Sequence, residues 1–337
     1  MVAVEYHSDL KEVQSDPLLG PALSADARDT PFDRIEWWRA LAEHCGLDPL
    51  IAVARDGGGI AVLPLARDGN KLGALANWYT FRWRPLLVGS NAPQLLKAIA
   101  GDLASRSHRL TLTGVPDEDG SATMLAEAFA ASGWLVRREQ GDVNHVLPVN
   151  GRSWEQYHAG LPGTLRTTLK RKSNKVACRV HDRFDADAWS AYEAIYARSW
   201  KPEEGSPAFL RAFAKAEGAA GRLRLAVAHT PEGEPIAAQM WTVEGSTAFI
   251  HKLAHREDAS ALSPGSVLSA VLFRHVIDMD KVSLIDFGTG DDAYKRDWME
   301  QVRPRWRLDL MRPMHPRNWL SIAKAELRRL ARRGRCN

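Results

Sequence analysis

Cysteine is scarce in this chain: Cys45, Cys178 and Cys336 are the three in 337 residues, widely spaced and odd in number. That argues against a disulfide framework and against a metal site built on cysteine pairs, and no metal is expected. Neither Cys45 nor Cys178 has a neighbouring His or Asp in a nucleophile pattern, so covalent cysteine catalysis is not expected. Long apolar runs are also missing. Every apolar stretch is short and broken by charge, and none reads as a bilayer span. Residues 1–10 carry Glu5 and Asp9 and no apolar stretch, so they do not read as a secretory signal. No low-complexity segment suggests disorder. The expectation is a cytoplasmic globular protein, long enough for two ordinary domains.

Positive charge is concentrated at one end. The chain carries +4, but residues 312–337 hold Arg312, Arg317, Lys324, Arg328, Arg329, Arg332, Arg333 and Arg335 against one acid, Glu326. That segment therefore carries +7, which leaves −3 on residues 1–311. The basic pI belongs to the tail. No basic, aromatic-interleaved face extends over the rest, so nucleic acid is not an expected partner.

What is present is mixed α and β, in two halves that read alike. In the first, Pro31 starts a helix over 32–45 with Ile35, Trp38, Leu41 and Ala42 at helical spacing. Apolar runs at 49–54 and 59–66 flank Asp56-Gly57-Gly58-Gly59 and predict a hairpin. A helix at 94–105, a strand at 109–113, a helix at 121–132 and a strand at 143–149 follow. A basic stretch, 161–179, reads as a solvated helix. The second half predicts helices at 187–198 and 207–216, a three-stranded meander at 223–229, 235–243 and 247–254, and a helix from 264 to about 279. A strand at 283–287, a helix at 291–299 and a strand at 305–311 complete it. The boundaries expected are an N-terminal extension at 1–30, domains at 31–150 and 151–311, and a basic tail at 312–337.

Particular residues narrow the second half. Gly221-Arg222-Leu223-Arg224-Leu225-Ala226-Val227 is followed by Pro235-Ile236-Ala237-Ala238-Gln239, by Leu262-Ser263-Pro264-Gly265, and by Asp286-Phe287-Gly288-Thr289-Gly290-Asp291-Asp292-Ala293-Tyr294-Lys295-Arg296-Asp297-Trp298. In the first half, Trp37-Trp38 and Ala61-Val62-Leu63-Pro64-Leu65 agree. This series resembles the CelD-type acyltransferases, a doubled-GNAT family related to the FemAB aminoacyl transferases. The resemblance covers roughly residues 31–311. It implies an α+β fold of two tandem GNAT-like domains, each a mixed, largely antiparallel sheet flanked by helices, and an acyl-CoA co-substrate.

An acyl-CoA enzyme must hold a pyrophosphate, and a helix N-terminus offers free N–H groups for it. Ser263 reads as the N-cap, Pro264 fits the first turn, and Gly265 and Ser266 would let phosphates approach the backbone. An ordinary helix start is the plain alternative, and the commoner Gln/Arg-x-x-Gly-x-Gly/Ala loop is missing. Amine attack on a thioester needs a neutral amine, a stabilised oxyanion and a protonated leaving thiolate. The resemblance places Tyr294 as the acid, with packing under the sheet as its other reading. Lys295 could pair with Asp286 or Asp291, or bind an acidic part of the substrate; Asp286 reads equally as half of a structural ion pair. His251 and His255, placed on one face by strand alternation with Leu253 between them, are the base candidates. Trp200 and Lys201, between two helices in the usual acceptor loop of such proteins, are candidates for acceptor contact together with His255. Trp298 reads as core.

The tail predicts a helix over 317–333 with Trp319, Leu320, Ala323, Leu327, Leu330 and Ala331 on one side and arginines on the other. Such a helix suits an anionic membrane surface or docking on its own protein. The function expected is acyl-CoA-dependent N-acylation of a cell-envelope precursor, either a long-chain amino lipid or an amino sugar. An aminoacyl-tRNA-dependent FemAB-like transferase and a non-catalytic GNAT scaffold are the alternatives.

Overall fold

A computed structural model describes residues 2–69, 71–320 and 322–323. The first half runs β1 (Val4–His7), α1 (Leu10–Ser15), α2 (Leu19–Ala22), α3 (Ile35–Cys45), β2 (Asp48–Asp56), β3 (Gly59–Asp68), β4 (Lys71–Ala74), β5 (Leu86–Val88), α4 (Ala92–Arg106), β6 (Arg109–Val115), α5 (Ser121–Ala130) and β7 (Leu135–Pro148). The second runs α6 (Trp154–Ala159), α7 (Gly163–Lys172), β8 (Ala177–His181), α8 (Ala186–Ala197), α9 (Pro207–Ala219), β9 (Leu223–His229), β10 (Pro235–Glu244), β11 (Thr247–His255), α10 (Pro264–Asp278), β12 (Leu284–Thr289), α11 (Ala293–Arg296) and β13 (Gln301–Met311).

Local chemistry sets several boundaries. Asp185 caps α8 through the Ala188 N–H, and Ser206 caps α9 through Phe209, with Pro207 in the first turn. Ser153 and Gln156 form a reciprocal capping box on α6. Gly46, left-handed at φ 68°, ends α3.

The strands form a single sheet in the order β1-β2-β3-β4-β6-β13-β7-β12-β11-β10-β9-β8, with β5 paired to β3. Read outward from the β13–β7 seam, the two sides correspond strand for strand. On each side one parallel step (β4 with β6, β11 with β12) interrupts an otherwise antiparallel ladder. The closing strands are exchanged: β13 lies against β6 of the first half, and β7 lies against β12 of the second. Expected as two sheets, the halves share one. Residues 4–23, expected as an extension, supply the edge strand β1 and the core side chains Leu10, Val13, Leu19 and Leu23.

Three apolar cores follow from this sheet. One packs α4 and α5 on the first half, and a second packs α6, α7 and α10 on the second. The third is shared: Phe32, Trp37 and Trp38 of the first half meet Trp189, Phe209 and Phe213 of the second. Trp37 meets Phe209 and Phe213 edge-on, each at 5.1 Å between centroids. Such contacts add about 0.5–1.5 kcal/mol beyond area burial. The helix expected at 291–299 is only the short α11, and Trp298 is core, stacked on Phe273 at 4.7 Å. The basic stretch 161–179 divides into α7 and the edge strand β8. Residues 316–320 are helical, tied down by Asn318 Nδ2, which donates to the carbonyls of His108 and Arg312. Trp319 and Leu320 are exposed there. The remainder of the expected tail helix, including Leu327, Leu330 and Ala331, lies outside the described residues, as does Cys336. Among the described residues no helix is long and apolar enough to cross a membrane.

Candidate active site

The parallel strands β11 and β12 pair only from Thr247–Phe249 to Leu284–Asp286. Beyond that point β11 runs on to His255 and β12 to Thr289 without pairing, so the sheet opens between them. A β-bulge lies on β11 at this opening. Met240 faces Lys252 and Trp241 faces Ile250, which leaves His251 as the extra residue.

The bulge decides where the histidines go. Alternation would set His251 and His255 on one face; the extra residue breaks it. His251 turns towards α3 and α9, between Phe213 (5.0 Å), Phe81 (5.3 Å) and Phe32 (6.2 Å), with Nε2 hydrogen-bonded to Thr242 Oγ1 at 2.8 Å. Burial, reinforced by Lys252 and Arg34, pushes it down to about 3. It is enclosed and already bonded, a poor base. His255 turns the other way, its Nδ1 only 3.3 Å from where a Cβ on Gly265 would lie, a close approach of ring and helix start. Trp200 covers it at 4.4 Å. Burial lowers its proton affinity, with Glu257 opposing, so its ring is neutral near pH 7.

Bulging also turns Lys252 to the α8–α9 side, a residue the sequence reading did not single out. Its ammonium pairs with Glu204 at 2.6 Å and lies over the rings of Tyr79 (4.8 Å) and Tyr196 (5.6 Å). Tyr79 OH donates to Glu204 at 2.5 Å and accepts from the Ser206 N–H at 2.9 Å. Lys201 lies within electrostatic reach of Lys252, Asp292, Lys295 and Glu204; burial lowers its proton affinity and Lys252 adds to that. Lys201, Lys252 and Lys295 thus mark the place where the α8–α9 loop, β11 and the short helix α11 meet.

Tyr294 lies at this opening, 38% exposed, its ring edge-on to Phe287 at 5.7 Å. Burial, with the Asp292 charge, pushes its hydroxyl up to about 12. It therefore keeps its proton at neutral pH, as a donor to a leaving thiolate must. Lys295 pairs with neither Asp286 nor Asp291. Its ammonium, buried, donates to the carbonyls of Thr289 and Gly290 and pairs with Asp292 at 3.7 Å, bracing the turn that leads from β12 into α11 and Tyr294. Burial lowers its proton affinity against the pull of Asp292. Asp286 is a structural acceptor: it takes Asn144 Nδ2 at 2.7 Å and the Gly288 N–H at 2.8 Å. Asn144 in turn accepts from Arg305 at 2.6 Å across the seam. Asp291 pairs with Arg296 at 2.6 Å.

The expected phosphate cradle is present in part. Pro264, Gly265 and Ser266 form the first turn of α10, whose leading N–H groups have no partner within the helix. Ser263 does not cap it. It closes the preceding 3₁₀ turn Glu257–Leu262 with φ 50° and ψ 45°, and its hydroxyl makes no cap bond. Among the described residues no group of three or more His, Cys, Asp or Glu could hold a metal.

The wall opposite comes from the first half. Trp78, 66% exposed, lies against Gly205, Phe81 lies against Gly288, and Trp37 Nε1 donates to Thr80 at 3.3 Å. Gly288, at φ 69°, would place a Cβ 2.9 Å from the Phe81 ring. The aromatic density of residues 78–83 was the one sequence signal that could have pointed to this wall.

Comparison with known proteins decides what frame this is. Residues 163–296 match the family model described as an acetyltransferase (GNAT) domain. The chain has the GNAT fold. The crystal structure of FemX superimposes with a TM-score of 0.58 at 11% identity, covering 90% of this chain and 96% of that one. The C-terminal domain of a candidate lysylphosphatidylglycerol synthetase from Agrobacterium fabrum gives 0.59 at 13% identity, covering 95% and 96%. L-PGS from Bacillus licheniformis gives 0.53 at 14%, covering 86% and 94%. At such identities the likeness is one of fold. No curated protein matches the chain. In GNAT terms, the β11–β12 opening is the splay between the fourth and fifth strands of the second repeat.

Proposed function

We propose that this protein is an acyl-CoA-dependent N-acyltransferase of the CelD type, acting on an amine of a cell-envelope precursor through the site in its second half, residues 151–311. What supports the reading is where the candidates sit on the splayed strands: His255 ends β11 and packs on the first turn of α10, and the half-exposed Tyr294, whose hydroxyl keeps its proton at neutral pH, follows β12. Coenzyme A would lie with its pyrophosphate at the N–H groups of Gly265 and Ser266. The acceptor gives one proton to His255, and its nitrogen attacks the thioester carbonyl. The carbon–sulfur bond then breaks, and Tyr294 protonates the leaving thiolate. Lys201 lies where it can meet the oxyanion or an acidic part of the acceptor. Lys295 acts by holding the loop of Tyr294 in place. An amino lipid and an amino sugar are the two acceptor classes we carry forward, with the basic tail as a contact to anionic membrane.

The likeness to FemX along nearly the whole chain supports a second reading, in which the donor is an aminoacyl-tRNA. Thermal unfolding with acetyl-CoA, a long-chain acyl-CoA and free coenzyme A separates the two. A thioester at 100 times its Kd should stabilise the fold by about 2.7 kcal/mol. If no thioester or coenzyme A stabilises the protein, the acyl-CoA reading fails and the aminoacyl-tRNA reading takes its place.

A further inference from the structure

The basic stretch that opens the second half is not neutralised within the protein. Arg166, Lys170 and Arg171 of α7 and Lys175 just beyond it are exposed, and none forms an ion pair among the described residues. Lys172 donates to the Ala261 carbonyl at 2.8 Å. Arginines elsewhere in the same half are matched: Arg211, Arg222, Arg224 and Arg256 each pair with a carboxylate. The negative end of the α7 dipole favours Lys170, Arg171 and Lys172 in the last turn, but not Arg166 a turn earlier or Lys175 past the helix. Clustered like charge repels itself, so an unmatched face of this kind is a place for an anionic partner.

The face borders a cavity. Between α7, α10 and the edge strand β8 lies a groove of about 940 Å³. That is at the upper end of the range for small-molecule sites. Its wall is apolar at Leu169, Val176, Val267 and Ala270, and its margin carries Arg166, Lys170, Arg274 and His158. No Asp or Glu lines it. Asp278, one turn along α10, stands 4.0 Å from Arg274 and accepts from the Trp154 N–H, so it offsets that one cation only. Glu155 of α6 is exposed and outside the lining.

Cations over an apolar trench fit an anionic amphiphile. Nucleic acid would use the cations and leave the trench empty, and a neutral lipid would do the reverse. Arg171 and Lys175 lie off the groove, so one bound head group would leave them unmatched, whereas a surface of anionic head groups matches them all. Clusters of four to eight Lys and Arg on a helix at a membrane bind acidic lipid in this way. We propose that α7 and the α7–α10 groove dock the chain on a membrane of anionic phospholipid, one acyl chain lying in the groove with its phosphate among Arg166, Lys170 and Arg274. This contact belongs to the folded second half, separate from the tail, and does not depend on the nature of the acyl donor. The bond from Lys172 to Ala261 fixes the face beside the turn that leads into α10, at one margin of the splay.

Vesicle co-sedimentation of the full chain tests it, with phosphatidylcholine alone and phosphatidylcholine mixed with phosphatidylglycerol. Binding should need the anionic lipid. Each cation at such a surface is worth about 5-fold in affinity, so changing Arg166, Lys170, Arg171 and Lys175 together to Gln should weaken binding at least ~100-fold. Changing Arg328, Arg329, Arg332 and Arg333 of the tail to Gln should leave binding that the α7 changes remove. Ala270→Leu fills the groove and keeps every charge; in calorimetry it should weaken soluble dihexanoyl phosphatidylglycerol at least ~10-fold. Thr167→Leu, on the α7 side of the groove, is a second filling should Ala270→Leu not fold, and the melting temperature of each variant checks its folding. The proposal is overturned if anionic vesicles are not bound, if the α7 variant binds them as tightly as the parent, or if a folded groove-filling variant keeps its affinity for the soluble lipid. Loss of tRNA binding in the α7 variant with vesicle binding unchanged would assign the face to nucleic acid instead. A thioester-induced melting shift without vesicle binding removes this proposal and leaves the acyl-CoA reading; vesicle binding without that shift does the reverse.

Discussion

Glu244 lies in a buried ion network joining the halves, and Glu244→Gln tests how that network is balanced. Arg34 of the first half lies between Glu217 at 3.0 Å and Glu244 at 3.1 Å, while Arg222 holds Glu217 at 2.6 Å. Both Glu244 oxygens are buried without a well-formed hydrogen bond among the described residues. Burial therefore outweighs the attraction of Arg34, and the carboxyl is pushed up from 4.5 to about 7. A displacement of that size corresponds to roughly 3 kcal/mol against the ionised form. Between those two values the folded chain holds a proton that the unfolded chain releases, so stability falls as pH rises through the window. His251 works in the opposite sense. Its folded value near 3 lies below the ordinary 6.5, so stability rises with pH between the two. From pH 4.5 to 6.5 the slopes oppose each other. Glu244→Gln removes one of them. The stability of the variant minus that of the parent should increase by roughly 3 kcal/mol between pH 4.5 and 8. Below pH 6.5 the variant alone should lose roughly 1.4 kcal/mol per pH unit towards acid. Urea unfolding followed by tryptophan fluorescence measures both. A difference that does not change with pH would refute the argument from burial, and one that falls with pH would mean that Arg34 overcomes it.

Tyr294→Phe should reduce kcat by about 100-fold while the melting temperature moves less than about 2 °C; a large melting shift would make the ring structural. Gly288→Ala asks a left-handed position to carry a Cβ against Phe81, and should cost about 1–3 kcal/mol in urea unfolding. A loss below about 0.5 kcal/mol would show that the first-half wall yields easily. Tyr79→Phe removes the hydroxyl that joins Ser206 to Glu204, so the Ser206 amide should exchange its hydrogen faster. Unchanged exchange there would mean that the α8–α9 loop does not depend on the first half.

The sequence read well where periodicity is strong and local. The meander β9–β11, the helix α10 and the hairpin β2–β3 lie where spacing and turn residues put them. The site was legible to the extent that one chain segment carried it: Tyr294 is at the splay because the Asp286–Trp298 block builds strand, loop and helix in succession. What could not be read depended on register. Strand alternation predicts one face for His251 and His255, and a single extra residue in β11, visible only against its partner β10, sends them to opposite faces. Lys252 was missed for the same reason, because its importance comes from Glu204 and from Tyr79, a residue of the other half. For Lys295 the charge pattern allows pairing with Asp286 or Asp291, or contact with an acidic part of a substrate. In the fold its ammonium serves backbone carbonyls, an outcome that charge patterns cannot indicate.

The repeat has two splays, and their fates differ. In the first half β4 and β6 pair in parallel at Leu72–Gly73 with Leu110–Thr111, as β11 and β12 do in the second. There the chain after β4 returns into the gap. Trp83 donates from its backbone to Gly114 of β6 and from its indole to Pro64 of β3, and its ring is buried. The segment that bridges it, residues 77–83, is the one whose Trp78, Tyr79 and Phe81 reach across to wall the open splay of the second half. One stretch of chain thus bridges the first opening and walls the second. The exchanged strands β7 and β13 hold the two halves in the register this requires.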